Sequence, residues 1–285
     1  MLPARPKHRN RLSPVITLLA LALMWPASAM ATGSHLTGFW GDNGASPQSG
    51  AYDGTMPSVK IDRPATATVI VYMHGTTRPQ KRENCEKSSN VPPKSLTALR
   101  LHTANGTTTK SHIYFLCSTA TDDGAAGSYI FKRARELRTH LDLLAAAGVK
   151  PRNIFVTGHS AGGWTALMAM SDAGTRFNAA IVFAPACCGP RKEESRYPIW
   201  RQKIRPFQIS RITATPHLRV LVFAYNDDPF NRPQDLGFLT AHDPAGATLI
   251  GYDCGHGHAT HRFDCRLADT KTMISTYIAA RKADF

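Results

Sequence analysis

The sequence predicts an α/β protein with a mostly parallel central sheet and helices on both faces. Three observations predict it. Short apolar runs alternate along the chain with stretches of helical periodicity, the pattern of strand–helix–strand units. Several runs, TATVIVYMHG at 66–75 among them, are β-branched and nearly continuous, as strands buried on both faces should be. One strand-to-helix junction reads Gly158-His159-Ser160-Ala161-Gly162, which sets a serine among glycines where a plain turn needs no serine.

The elements follow in order. MLPARPKHRNR carries Arg5, Lys7, Arg9 and Arg11, and the apolar run LSPVITLLALALMWP comes next. Ala29-Met30-Ala31 then has the small-x-small form of a cleavage site. That order reads as a signal peptide over 1–31, so the mature chain is expected to be exported, to the periplasm or outside the cell. An uncleaved N-terminal anchor is the other reading; no later stretch is long and apolar enough to span a membrane. Residues 32–63 form a loop-rich extension, with Gly, Pro and Ser concentrated from 37 to 64 and one edge hairpin expected there.

The main domain is expected over 64–285. Strands are read at 66–75, 111–118, 153–158, 177–185, 218–225 and 247–253. Helices are read at 94–104, 127–148, 161–173 and 266–282. The longest of them places Ile130, Leu137, Leu141 and Leu144 on one face and ends at Gly148. Between two strands lies ACCGPRKEESRYPIWRQKIRPFQISRITATPH, so 186–217 reads either as a lid or insertion or as a plain crossover helix with loops.

Composition narrows the classes of function. About 254 of the 285 residues remain after the leader, enough for one large core, and the apolar share is that of a globular protein. The formal charge of +14 invites a nucleic-acid reading, but the basic residues are scattered and no recognition module is visible, so no specific nucleic-acid partner is expected. Cys85, Cys117, Cys187, Cys188, Cys254 and Cys265 are even in number in a chain expected to be exported, which favours disulfides. Cys254 and Cys265 are the easiest pair to close, because a turn separates them.

The serine motif gains weight from its neighbours. A nucleophile at a strand–helix elbow sits in a strained conformation, and side chains two residues either side would collide with adjoining backbone. The N–H of Ala161 opens the following helix, where negative charge is favoured. A serine hydroxyl also needs a base and an acid, expected after later strands in the order serine, acid, histidine. The strand at 218–225 runs into Asn226-Asp227-Asp228-Pro229-Phe230, and the strand at 247–253 into Cys254-Gly255-His256-Gly257-His258, with His261 beyond. Both loops fall at carboxyl ends of strands, where open α/β sheets build their sites. Three histidines could suggest a metal, but no partner ligand stands at helical metal spacing, so neither metal nor cofactor is expected.

YMHGTT, GHSAGG, AYNDDPF and CGHGH together resemble the α/β-hydrolase fold family across roughly 64–283. More loosely, the chain resembles exported dienelactone-hydrolase-like and polysaccharide-esterase-like enzymes, although dienelactone hydrolases use cysteine where this chain has Ser160. The resemblance implies Ser160 as nucleophile and an oxyanion hole from the N–H of Ala161 and one from the HGTT loop, Thr76 or Thr77, with His74 structural. In the family the acid often precedes a Pro-apolar step, so the resemblance implies Asp228 over Asp227. The family's usual His-Gly step likewise implies His256 over His258 and His261 as the base. The expected function is hydrolysis of a small or polymeric carboxylic ester through an acyl-enzyme. The alternatives are an acyltransferase or peptidase with the same triad, or a non-catalytic binding protein on this fold.

Overall fold

A computed structural model describes residues 37–40, 61–76, 91–104, 107–118, 120, 127–191, 199–262 and 265–284. The expected signal peptide, most of the 32–63 extension, Thr77 and Cys85 lie outside these residues. The strands are β1 (Gly38–Phe39), β2 (Thr68–Met73), β3 (Leu101–Ala104), β4 (Thr107–Leu116), β5 (Ile154–His159), β6 (Ala179–Phe183), β7 (Val220–Tyr225) and β8 (Ala247–Tyr252). The α-helices are α1 (Lys94–Thr97), α2 (Tyr129–Ala146), α3 (Ala161–Ala173), α4 (Arg205–Ile212), α5 (Phe238–His242) and α6 (Leu267–Ala283).

The strands line up as β1-β4-β2-β5-β6-β7-β8, with β3 paired to β4. All neighbours from β4 to β8 run parallel, and β1 and β3 are antiparallel to β4. The chain lays down β2, moves to β4 on one side, and returns to β5 on the other. Connections therefore leave β2 and β5 in opposite directions, and a crevice opens at their carboxyl ends. The fold is that of the α/β-hydrolases.

Side-chain alternation along β2 divides the core in two. Val69, Val71 and Met73 join one cluster with Ile130, Leu137, Leu141 and Leu144 of α2 and Trp164 and Leu167 of α3. Ile70 and Tyr72 join the other, with Leu96 of α1, Phe155, Phe183, Phe223 and Ile274 of α6. A strand points successive side chains to opposite faces, so a run with no polar interruption needs cover on both. The four apolar positions read on α2 are completely buried.

One expectation changes. The helix read over 94–104 is one turn, Lys94–Thr97, and Leu101–Ala104 is instead a strand paired with β4, Ala104 opposite Thr107. Asn105-Gly106 between them lies outside the described residues, but it is the dipeptide that two-residue hairpin connections favour. The segment at 186–217 contains a π-helical turn, Trp200–Ile204, leading directly into α4. α4 falls between β6 and β7 along the chain, and Arg205 and Gln208 turn inward from it. Among the described residues, no helix is long and apolar enough to cross a membrane.

Candidate active site

β5 ends at His159 and α3 starts at Ala161, leaving Ser160 at φ 55° and ψ −121°. A residue with a β-carbon rarely adopts this conformation, so the elbow is strained. A Cβ at Gly158 would lie 2.5 Å from the Gly162 carbonyl carbon, and one at Gly162 would collide with the Met73 carbonyl oxygen on β2. The two glycines therefore let α3 start against the ends of β5 and β2, as the spacing of the motif implied.

Three side chains from three strand ends meet there. Ser160 Oγ is 2.8 Å from His258 Nε2, and His258 Nδ1 is 2.8 Å from Asp228 Oδ2. The carboxylate can only accept, so Nδ1–H donates to Asp228 and Nε2 is left to receive the serine proton. Asp228 is fully buried at the end of β7. Its second oxygen accepts the Phe230 N–H at 2.7 Å, and its own carbonyl accepts from Arg191 Nη2 at 2.6 Å. Buried Asn231 donates Nδ2–H to the Pro185 carbonyl at 2.8 Å and so ties this loop to the end of β6.

The histidine chosen from sequence is corrected. His256 is exposed, and His258 reaches Ser160. Gly255 and Gly257 flank His256 with φ of 72° and 54°, a left-handed bend on each side. The chain turns His256 outward and enters the 3₁₀ turn Gly257–Arg262, whose first side chain faces the elbow. His261 lies further along that turn. Of the two acids, Asp228 meets the imidazole as expected. Asp227 instead accepts the Gly257 N–H at 2.5 Å.

Residues 74–76 pack beside the elbow, and a Cβ at Gly75 would stand 3.4 Å from Ser160 Cβ. His74 is fully buried. Its Nδ1–H donates to the Gly75 carbonyl at 2.7 Å, and its Nε2 accepts the Ser118 N–H at 3.0 Å, which fixes the neutral tautomer. Buried Arg133 reaches the same loop from α2, donating to the carbonyls of His74, Gly75 and Ala120. Sequence periodicity missed Arg133 because an arginine on a helix ordinarily faces water. Thr76 Oγ1 is hydrogen-bonded to Tyr129 Oη at 3.0 Å. Ala161 is buried at the start of α3, among the first N–H groups that a helix leaves without an internal acceptor. Among the described residues, no group of three or more His, Cys, Asp or Glu side chains is placed to hold a metal.

Burial, and then the Arg133 charge, push the His74 pKa from 6.5 down to about 3. The unfolded histidine takes a proton near pH 6.5 that the folded one refuses until about pH 3. The stability His74 contributes is thus complete above pH 6.5 and lost as pH falls from there toward 3. On the order of a few kcal/mol is expected to disappear across that range. Denaturant unfolding at stepped pH checks the loss, and ring NMR shifts check the cause. A His74 already cationic at pH 5 would contradict it.

The loop bearing His258 is closed by a disulfide between Cys254 and Cys265, 11 residues apart with Cα atoms 6.2 Å apart. Cys187 and Cys188 form a second, vicinal pair after β6. A bridge closing about a dozen residues is worth roughly 3 kcal/mol in the chain-entropy model. This one also limits where the imidazole can go. Replacing both Cys254 and Cys265 with serine is expected to lower turnover more than the stability loss explains, measured well below the melting temperature. Full activity in the folded double variant would remove the effect.

The signature of the prolyl oligopeptidase family matches residues 138–188, from within α2 through the elbow to the vicinal cysteines. Comparison with curated proteins finds no match. Among solved structures, the chain is similar to a dipeptidyl-aminopeptidase-IV-like protein of Bacteroides ovatus, at 17% identity and TM-score 0.55, over 80% of this chain and 34% of that one. It is similar to a puromycin-hydrolyzing peptidase of Mycobacterium tuberculosis at 15% identity and TM-score 0.50, over 81% and 36%. It is also similar to a peroxisomal α/β-hydrolase of Saccharomyces cerevisiae at 14% identity and TM-score 0.50, over 78% and 80%. The chain thus matches about a third of the length of each of the first two and most of the third.

Proposed function

We propose that this chain, an α/β-hydrolase-fold serine hydrolase, cleaves the acyl–nitrogen bond of small peptide or aminoacyl amides, with esters of the same acyl groups as easier substrates. The observation that carries the hydrolase chemistry is the unbroken hydrogen-bond chain Ser160–His258–Asp228. The prolyl oligopeptidase signature spanning the elbow favours an amide over the plain ester that the motifs alone suggested.

In this reading Ser160 Oγ attacks the acyl carbon while its proton passes to His258 Nε2. Asp228 holds the imidazole in the required tautomer and stabilises the imidazolium that forms. The N–H groups of Ala161 and Thr76 receive the oxyanion. His258 then gives its proton to the leaving nitrogen, which an amide needs more than an ester because an amine anion is a poor leaving group. Water, deprotonated by His258, releases the acyl group. The leader-like residues 1–31 and the disulfides support export of the mature chain.

Paired chromogenic substrates test the reading: an aminoacyl p-nitroanilide beside the p-nitrophenyl ester of the same acid. Ser160-dependent turnover of both supports an amidase. Turnover of the ester alone returns the esterase reading, and product appearing on an added alcohol or amine marks an acyltransferase. No turnover together with no fluorophosphonate labelling of Ser160 marks a binding protein.

A further inference from the structure

The catalytic imidazole is aimed by more than Asp228. Three side chains outside the triad hold three consecutive peptide groups of the loop, those from His256 to Ala259, with His258 among them. On the amino side, the Gly257 N–H donates to Asp227 Oδ2 at 2.5 Å, and the Gly257 carbonyl accepts the Thr260 hydroxyl at 2.7 Å. On the carboxyl side, the His258 carbonyl is 2.9 Å from His159 Nε2. A carbonyl can only accept, so this nitrogen of His159 carries a proton. His159 immediately precedes the nucleophile, and its ring centroid lies 4.8 Å from that of His258. Asp227 immediately precedes the acid. His159 and Asp227, each immediately before a triad member, are therefore both bonded to the main chain around the third.

Both bonds act where the loop most needs them. Gly257 has φ 54°, and the loop leaves β8 through two left-handed glycines, which hold a chain loosely on their own. The disulfide fixes the ends of the loop at Cys254 and Cys265 but touches neither peptide beside His258. Rotation of those peptides would swing the imidazole away from Ser160 without breaking the bridge.

We propose that Asp227 and His159 are positioning residues that set the Ser160–His258 distance by clamping the backbone on either side of His258. The proposal rests on the triad and not on the choice between amide and ester. Its readout is accordingly the second-order rate at which a fluorophosphonate probe modifies Ser160, which needs an activated serine and no particular substrate. Asp227→Ala is expected to slow labelling roughly 10- to 100-fold, the scale of a small misplacement of reacting groups. Asp227→Asn keeps an oxygen acceptor and is expected to restore most of the rate. His159→Leu should be slowed similarly, and His159→Gln, which keeps a donor, should recover. Asp227 is exposed, so its variants are expected to fold and melt near the wild type even if those at His159 do not. Labelling of folded Asp227→Ala at the wild-type rate would overturn the clamp. So would an Asp227→Asn variant as slow as the alanine, because charge and not the hydrogen bond would then be responsible. Wild-type labelling that fails altogether would reject the hydrolase reading itself, separately from the clamp.

Discussion

Replacing Ser160 with alanine is expected to lower turnover by about five to six orders of magnitude and to abolish fluorophosphonate labelling, while the fold persists. The size follows from what remains. Without Oγ no acyl-enzyme forms, and His258 loses the only proton it is placed to take. Triad members act as a unit, so one deletion costs nearly what removing all three costs. The residual rate over water, roughly 10³- to 10⁴-fold, would come from the oxyanion groups and from binding alone. The fold should survive because alanine fits the same elbow. The positive φ at position 160 strains serine and alanine alike, and among the described residues the lost hydroxyl is hydrogen-bonded to His258. Circular dichroism and melting confirm the fold, and hydrolysis of the paired chromogenic substrates gives the rate. Near-normal turnover by a folded variant would reject Ser160 as the nucleophile.

The second large effect separates neighbours that the sequence cannot rank. His258→Ala is expected to cost about as much as the serine deletion, whereas His256→Ala should stay within a few-fold of the wild type. His258 bridges Ser160 and Asp228 at 2.8 Å on each side. His256 is exposed beyond a bend that turns it from the elbow. The acids should divide similarly. Asp228→Asn leaves the shape intact but lets the imidazole settle in the wrong tautomer, for a loss of about 10⁴-fold. Asp227→Asn keeps its acceptor toward Gly257 and should cost far less. Comparing kcat for the four variants on one substrate decides both pairs. A larger loss at His256 than at His258 would overturn the triad drawn from this geometry.

Much of the molecule was legible along the chain because the determinants are local. A β-branched apolar run such as 68–73 must be buried on both faces, which implies a parallel sheet with cover on each side. The 3.6-residue spacing of Leu137, Leu141 and Leu144 declares the buried face of α2. The glycines of GHSAG announce a close approach of backbone, and their position at a strand–helix junction makes Ser160 the nucleophile candidate. Cys254 and Cys265 pair across a short turn, as their spacing allowed. Asp228, the acid that the family resemblance implied, is the one that meets the imidazole, and the Phe230 N–H binds its second oxygen.

What escaped the sequence depends on pairing and packing that local periodicity does not show. The periodicity at 94–104 suits a helix as well as a turn followed by a strand, and only pairing with β4 decides between them. Arg133 looks like a solvent-facing residue until the fold places three backbone carbonyls around its guanidinium. His256 and His258 are both histidines beside glycine in one short loop. Which of them meets Ser160 depends on two left-handed glycine dihedrals and on a carboxylate 30 residues earlier that holds the Gly257 N–H. The sequence determined the fold, the nucleophile and the loops from which acid and base must come, because these follow from local pattern and chain order. The tertiary structure alone decided which histidine acts and what holds it there, because the direction of a side chain on a glycine-flanked loop is set by the surfaces that the loop packs against.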